Sequence, residues 1–406
     1  MDIFTVLNYQ GSKKNLLEFI HANLDQYIDD SDTILDIFAG TSSVAYSYKR
    51  TNRVFANDSE PYAATIARAL LGTALSLNEI TEIEALINSY KNPINKYDKW
   101  IEEEDNYIKN MDVEALIELY NTIPTVWSGS SKFFKSKSEY SLFVKYYSTS
   151  YFGIRQARDI DAIKYAIDHS NSSHKDALLS SLFYAMKECV FSKDGHMAQP
   201  LDLRKNGNRL IKQRRKSITK AFIEKCKDYT TNEFVAPVGN NNTVFNCNFE
   251  DLISGEKLSD VSVIYADPPY TDMQYSRYYH LLNTVLEYDY PDMTTNQGEH
   301  TKGLYLNNRF QSQLSKKATC LDSMEKLVEF SKNNNILLAI SFAYPQDTEN
   351  QKTDRYVMNI DDLIDMCKKH YSNSKVKVKK HAYEHSNNRN SETKKVLEYL
   401  IICERD

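Results

Sequence analysis

The heptapeptide Ile264-Tyr265-Ala266-Asp267-Pro268-Pro269-Tyr270 brings a carboxylate, two prolines and an aromatic ring to one point at the end of a strand-like run. The prolines remove two backbone donors and stiffen the turn, so Asp267 and Tyr270 are held in place. The Asp267 carboxylate and the Pro268 carbonyl are acceptors, and Tyr270 offers a π-face. Two acceptors beside a stacking ring suit a flat heterocycle that carries an exocyclic amine. A strand-terminating turn with a surface tyrosine has the same composition, because Asp-Pro turns are common. The elements around the peptide separate the two readings.

Residues 33–38 (TILDIF) read as a strand that breaks at Ala39-Gly40-Thr41-Ser42-Ser43 and resumes with helical spacing. A strand, a small-residue turn and a helix open a doubly wound nucleotide-binding sheet. The turn has only Gly40 and lacks the G-x-G-x-x-G spacing, which argues against a dinucleotide. Its small residues still let the backbone approach a ligand closely. A second strand, residues 53–58, ends in Asn57-Asp58, where this topology puts an acid on ribose hydroxyls. Taken singly, Asp36 and Asp58 would serve as helix caps; together at two strand ends they favour a ligand.

With these motifs the chain resembles the S-adenosylmethionine-dependent DNA amino-methyltransferases, specifically adenine-N6 enzymes of the alpha group. Asp36-Ile37-Phe38-Ala39-Gly40 is similar to their D-x-F-x-G cofactor motif, Asn57-Asp58 to the ribose-binding acid, and Asp267-Pro268-Pro269-Tyr270 to the catalytic D-P-P-Y. Tyr9-Gln10-Gly11-Ser12-Lys13, preceded by Asn8, resembles the N-terminal motif that closes over the methionine end of the cofactor. The order of the motifs, with a long insertion before Asp267, is that of the alpha group. The resemblance covers roughly residues 5–75 and 243–405. It implies cofactor contacts from Tyr9, Gly11, Ser12, Lys13, Asp36, Phe38, Gly40, Thr41, Ser42, Asn57, Asp58, Asn248, Phe249 and Asp267. Two departures stand out. Ser42 occupies a position that is often Gly-like, and Asn248, before Phe249, replaces an acid, with Asp251 as the substitute if the register slips.

A chain of 406 residues exceeds the ceiling for one core and points to two domains. The expected fold is α/β: a Rossmann-like three-layer methyltransferase sheet from residues 1–75 and 243–406, with residues 76–242 as an inserted, mainly helical, basic target-recognition region. The six cysteines (Cys189, Cys226, Cys247, Cys320, Cys367 and Cys403) form no C-x-x-C pair and read as reduced, buried residues of a cytoplasmic protein without a metal site. No run approaches a membrane span and no charged-then-apolar leader opens the chain.

The net charge of −5 looks wrong for a DNA-binding protein until it is localised. Residues 132–233 hold 20 basic against 11 acidic residues, which leaves the rest of the chain strongly acidic. The excess peaks at residues 204–227, where Glu224 alone opposes ten basic residues. Arg204, Lys205, Arg209, Lys212, Arg214, Arg215, Lys216 and Lys220 form either a solvated helix face or a phosphate-contacting surface. The second reading fits double-stranded DNA, with Tyr275 and Arg277 added from the loop after Tyr270.

The middle region has helical apolar spacing over residues 77–90, 113–123 and 176–190, while the acidic stretch 96–112 reads as surface. Trp127, Phe133, Phe134, Tyr140, Tyr146, Tyr147, Tyr151 and Phe152 interleave with lysines; such aromatics stack on bases or, more often, form a core. Residues 195–207 read as a loop able to carry base-reading side chains. Residues 291–317 read as a long polar mobile segment, and 336–342 as a buried strand bordering the pocket. Residues 396–403 close the sheet, and the loop with Ser386, Asn387 and Asn388 resembles a region near the target base. The reading that follows is methyl transfer to adenine N6 in duplex DNA, in a restriction–modification, phage or defence setting with a possible cognate restriction enzyme. Cytosine N4, adenine in RNA, and a non-catalytic DNA-binding subunit are the competing readings.

Overall fold

The computed structural model describes residues 4, 6–7, 11–72, 74–91, 97–125, 140–193, 196–231, 241–290, 292–307, 309–346, 353–385 and 394–406. The chain forms two compact units. One comprises Met1–Gly72, Val235–Tyr275 and Phe310–Asp406; the other comprises Thr73–Phe234 and Ser276–Arg309. Residues 276–309, expected with the sheet, thus belong to the second unit.

The first unit is built on a seven-stranded sheet. Its strands are β1 (Thr33–Asp36), β2 (Arg53–Asn57), β3 (Thr243–Phe245), β4 (Val263–Ala266), β5 (Leu337–Pro345), β6 (Val376–His385) and β7 (Lys394–Cys403), in the order β3-β2-β1-β4-β5-β7-β6. The first five run parallel, and β7 is antiparallel to both β5 and β6. Every residue of β1, β4 and β5 is buried, as expected for parallel strands covered on both faces. Ile264, Leu338, Ile340 and Ile401 pack with Met324 and Leu327 of the helix Cys320–Asn333 and with Leu363 of the helix Ile360–His370.

The strand order fixes where a ligand can bind. From β1 the chain winds outward to β2 and β3, whereas from β4 it proceeds to β5 on the other side. The carboxyl ends of β1 and β4 therefore flank the switch point, where open α/β sheets have their ligand crevice. Asp36 ends β1, and Asp267 directly follows β4.

The second unit is mainly helical. The helix Ile154–His169 is buried on most sides, including Asp161, whose carboxylate accepts the amides of Phe143 and Val144 at 2.9 and 3.0 Å and the Tyr288 hydroxyl. Burial pushes Asp161 up to about 7, partly opposed by these donors. The stretch expected at the surface forms the helix Asp98–Asn110, with Ile101, Glu104 and Ile108 inside. Glu104 is drawn in because it accepts the amides of Ile154 and Arg155, at 2.9 and 3.0 Å, and the Tyr120 hydroxyl. Those amides open a helix and have no acceptor within it. Tyr146, Tyr147, Tyr151 and Phe152 are core residues, while Trp127, Phe133 and Phe134 lie outside the described residues. Within 291–317, Thr295–Asn296 and Glu299–His300 form a small antiparallel hairpin, and Leu304 and Tyr305 are buried.

Candidate active site

At the end of β1 the backbone turns sharply. Gly40 has φ +51° and Ser42 has φ +58°, a left-handed conformation rare for a side chain with a Cβ. The position often filled by a Gly-like residue is therefore a backbone requirement that Ser42 meets without being glycine. The turn leads into the helix Ser43–Tyr48 and lets Asp36 Oδ2 accept the Ala45 amide at 3.2 Å. Asp36 Oδ1 and Ser42 Oγ are buried with no hydrogen-bond partner. Burial pushes Asp36 up to about 8, with the Ala45 amide opposing and the charges of Asp267 and Asp58 adding.

At the end of β2, Asn57 bridges three strands: its amide nitrogen donates to the carbonyls of Ile37 and Cys247, both at 3.2 Å, and its oxygen accepts the Cys247 amide at 3.3 Å. Its side chain is thus occupied in fixing the sheet. Asp58 accepts the Gly40 amide at 2.8 Å and the Glu60 amide at 2.9 Å, so it also braces the turn. Burial raises its pKa, and the two amides oppose the rise. Phe38 lies edge-on to the buried Phe249, with ring centres 5.2 Å apart, and Asn248 leads into a short helix with its amide on Glu250.

The segment Gly11-Ser12-Lys13 is tied to both strand ends. Ser12 Oγ lies 3.4 Å from Ser43 Oγ, which is itself 3.5 Å from Thr41 Oγ1. Gly11 has φ +90°, and a Cβ there would lie 3.5 Å from the Tyr275 hydroxyl and 3.8 Å from that of Tyr270. Tyr9 lies outside the described residues. Lys13, only 5% exposed, sets its ammonium 2.9 Å from Asp267 Oδ1 and 3.0 Å from Glu398 Oε1, and 5.8 Å from the centre of the Tyr270 ring. Among the described residues no other side chain pairs with Asp267.

Burial is the largest influence on Asp267 and pushes it up to about 7; Lys13 opposes the rise and Glu398 adds to it. For Lys13, burial favours the neutral amine, but Asp267 and Glu398 outweigh it and hold the ammonium well above its ordinary range. Tyr270 stacks on Tyr356 with centres 6.1 Å apart, meets Phe342 edge-on at 6.2 Å, and receives the Val357 amide on its carbonyl at 3.2 Å. Ser43, Tyr356 and Glu398 were not singled out from sequence. A lone acid inside the apolar run 396–403 was the available signal for Glu398.

In the second unit Arg204, Lys205, Arg209, Lys212 and Arg215 are exposed. Arg209 also donates to the Ser192 carbonyl at 2.7 Å and Arg215 to that of Ile108 at 3.2 Å. Arg214 departs from the expected phosphate-contacting row. It is 5% exposed, and its guanidinium donates to the Tyr120 hydroxyl at 3.1 Å and to the carbonyls of Ser150 and Tyr151 at 2.9 and 3.2 Å. It holds the unit together and presents no donor to a phosphate. Arg277 is exposed, with Nε on the Tyr305 hydroxyl at 3.0 Å; Tyr275, in the first unit, is half-buried. The loop with Ser386, Asn387 and Asn388 lies outside the described residues, as does Gly195.

No helix among the described residues is long and apolar enough to cross a membrane. In comparisons with known proteins, the chain is 25% identical over 291 residues to the type II methyltransferase M.FokI of Planomicrobium okeanokoites, an alignment covering 71% of this chain and 38% of that protein. It is 24% identical to the modification methylase LlaI of Lactococcus lactis subsp. lactis, over 98% of this chain and 55% of the relative. It is 21% identical to the modification methylase StsI of Streptococcus sanguinis, over 98% and 52%. The chain therefore spans about half the length of these relatives, or less. A family match covers residues 9–336, from the segment before Gly11 past the Asp267 turn, and by it the chain belongs to the D12 class of N6 adenine-specific DNA methyltransferases.

Proposed function

We propose that the chain transfers a methyl group from S-adenosylmethionine to the exocyclic N6 of an adenine flipped out of duplex DNA, as the modification activity of a restriction–modification system. The observation that carries the reading is Asp267: a carboxylate at the sheet's switch point, held by Lys13 alone among the described side chains and followed by two prolines and a stacked tyrosine. The family and the modification methylases among its relatives support the same reaction.

The residues at the end of β1 fit the cofactor. Asp36 Oδ1 and Ser42 Oγ are buried polar atoms without a protein partner, and a ligand rich in hydroxyl and amine groups would satisfy them. Gly11, Ser12, Asp36, Phe38, Gly40, Thr41, Ser42, Asn248 and Phe249 would hold it, with Asn57 and Asp58 shaping the turn. When bound, S-adenosylmethionine supplies a methyl group activated on a sulfonium sulfur.

The chain's own task is to make a poor nucleophile attack. The lone pair of an aromatic amine is delocalised into its ring. If the Asp267 carboxylate and the Pro268 carbonyl accept the two amine hydrogens, the nitrogen is drawn toward a tetrahedral geometry and its lone pair localises. The carboxylate also offsets the positive charge that develops on the nitrogen. Alignment of the reacting groups supplies up to ~7–11 kcal/mol. Tyr270 would stack on the flipped base and help to offset the few kcal/mol that flipping costs. The exposed Arg204, Lys205, Arg209, Lys212 and Arg215 of the helical, inserted region would contact phosphates, and this region would carry target recognition.

Purified protein incubated with methyl-labelled S-adenosylmethionine and unmethylated DNA, with RNA in parallel, gives the test after digestion to nucleosides. Label in N6-methyladenine from DNA is expected. Label confined to N4-methylcytosine or to RNA would replace the substrate, and no label in any nucleoside would overturn the activity.

A further inference from the structure

Glu398 is an acid in the apolar strand β7, fully buried, and it lies beyond the residues matched by the family. A buried carboxylate in mid-strand is costly unless it is paired and hydrogen-bonded. Glu398 has both compensations: Ser341 Oγ donates to Oε1 at 2.5 Å, and Lys13 Nζ lies 3.0 Å from the same oxygen. Ser341 is on β5, adjacent to β7, so the sheet itself fixes this carboxylate. Lys13 sits between Glu398 and Asp267, 3.0 Å from one and 2.9 Å from the other. One ammonium is therefore shared by two buried carboxylates.

We propose that Glu398 is a positioning residue of the methyl-transfer site: it anchors Lys13 from the sheet and through Lys13 sets the orientation and charge of Asp267. The inference rests on the reading of Asp267 as the acceptor of the amine hydrogens. If Lys13 belonged to Asp267 alone, the ammonium would follow the carboxylate and mask the lone pairs that the amine needs. Pulled from the other side by Glu398, it steadies one oxygen of Asp267 without neutralising the carboxylate.

Among the described residues, several titratable groups face this cluster. Asp36 at the end of β1 repels Asp267, Tyr265 lies beneath it on β4, and Tyr270 stands beside Lys13. Tyr356 senses Glu398. His381, opposite Glu398 on β6, is exposed and stacks on Phe19 with centres 5.1 Å apart.

A protonated Asp267 accepts N–H groups less strongly and carries no charge to offset the one developing on the amine, so kcat falls on the acid side as the coupled cluster takes up a proton. Removing the negative charge of Glu398 relieves Asp267 of a like-charge neighbour, and removing the positive charge of Lys13 does the reverse. The pH dependence of kcat at saturating donor and DNA therefore gives the test. Glu398→Gln is expected to move the acid limb to lower pH and to reduce plateau kcat by about ten- to a hundredfold through poorer positioning. Lys13→Gln is expected to move the acid limb to higher pH. Opposite shifts are a signature of charge that loss of packing does not produce. Should Glu398→Gln fail to fold, Glu398→Asp decides: it keeps the charge and retracts it, so kcat should fall with the acid limb in place. Shifts in the same direction, no shift in the Gln variants, or an unchanged kcat in Glu398→Asp would overturn the inference. Asp267→Ala is run alongside. Substantial turnover by that variant overturns the reading of Asp267 itself, whereas an inactive Asp267→Ala with unmoved limbs in the other variants overturns the role of Glu398 alone.

Discussion

Three acids, Asp36, Asp267 and Glu398, lie at or near one end of the sheet, with Lys13 the cation paired with Asp267 and Glu398 among the described residues. Asp36, pushed up to about 8, and Asp267, pushed up to about 7, both by burial first, keep their protons to higher pH in the folded chain than in the unfolded one. Between the ordinary carboxylate range near 4 and these raised values the folded state binds more protons, so stability falls as pH rises through that window. Melting of the ligand-free protein should accordingly shift to lower temperature from pH 5 to pH 8. Asp36→Asn should flatten that slope, because it removes the group with the higher value. A slope unchanged by the substitution would mean that Asp36 is not the strained acid described here.

At the scale of elements, the strands that end at Asp36 and Asp267 were readable because parallel strands buried on both faces are continuous apolar runs and their carboxyl ends are where acids stand out. TILDIF with Asp36, and IYA before Asp267, follow that rule. The pairing of Lys13 with Glu398 was not readable, since it depends on which strand lies next to β5. Arg214 was misread for a different reason. A basic run looks uniform, but Leu210, Ile211 and Arg214 share the buried side of one helix, and the spacing 210, 211, 214 was the missed signal. Arg214→Ala should therefore destabilise the protein by about 1.5–3 kcal/mol, the range for hydrogen bonds to charged groups, measured by denaturant unfolding. Joint replacement of the exposed Arg204, Lys205 and Lys212 should leave stability nearly unchanged. It should weaken DNA binding and lower the salt slope by about 0.9 for each phosphate that is no longer neutralised. A salt slope equal to that of the parent protein would remove these residues from the interface.

For the molecule as a whole, the basic stretch 132–233 falls in the helical unit, while Asp36, Asp267 and Glu398 fall in the sheet unit. Length, composition and the unmatched middle of the chain pointed to two domains, and the chain divides into two compact units. The membership of residues 276–309 was not legible, because it rests on tertiary packing such as Tyr288 on Asp161 and Arg277 on Tyr305. Asp267 is proposed to act on the amine and not on the cofactor. The direct measurement is a paired one on Asp267→Ala: S-adenosylmethionine affinity by calorimetry and labelled-methyl transfer to DNA by single turnover. Affinity near that of the parent protein, with transfer abolished, is the predicted result; substantial transfer by the folded variant would contradict the account.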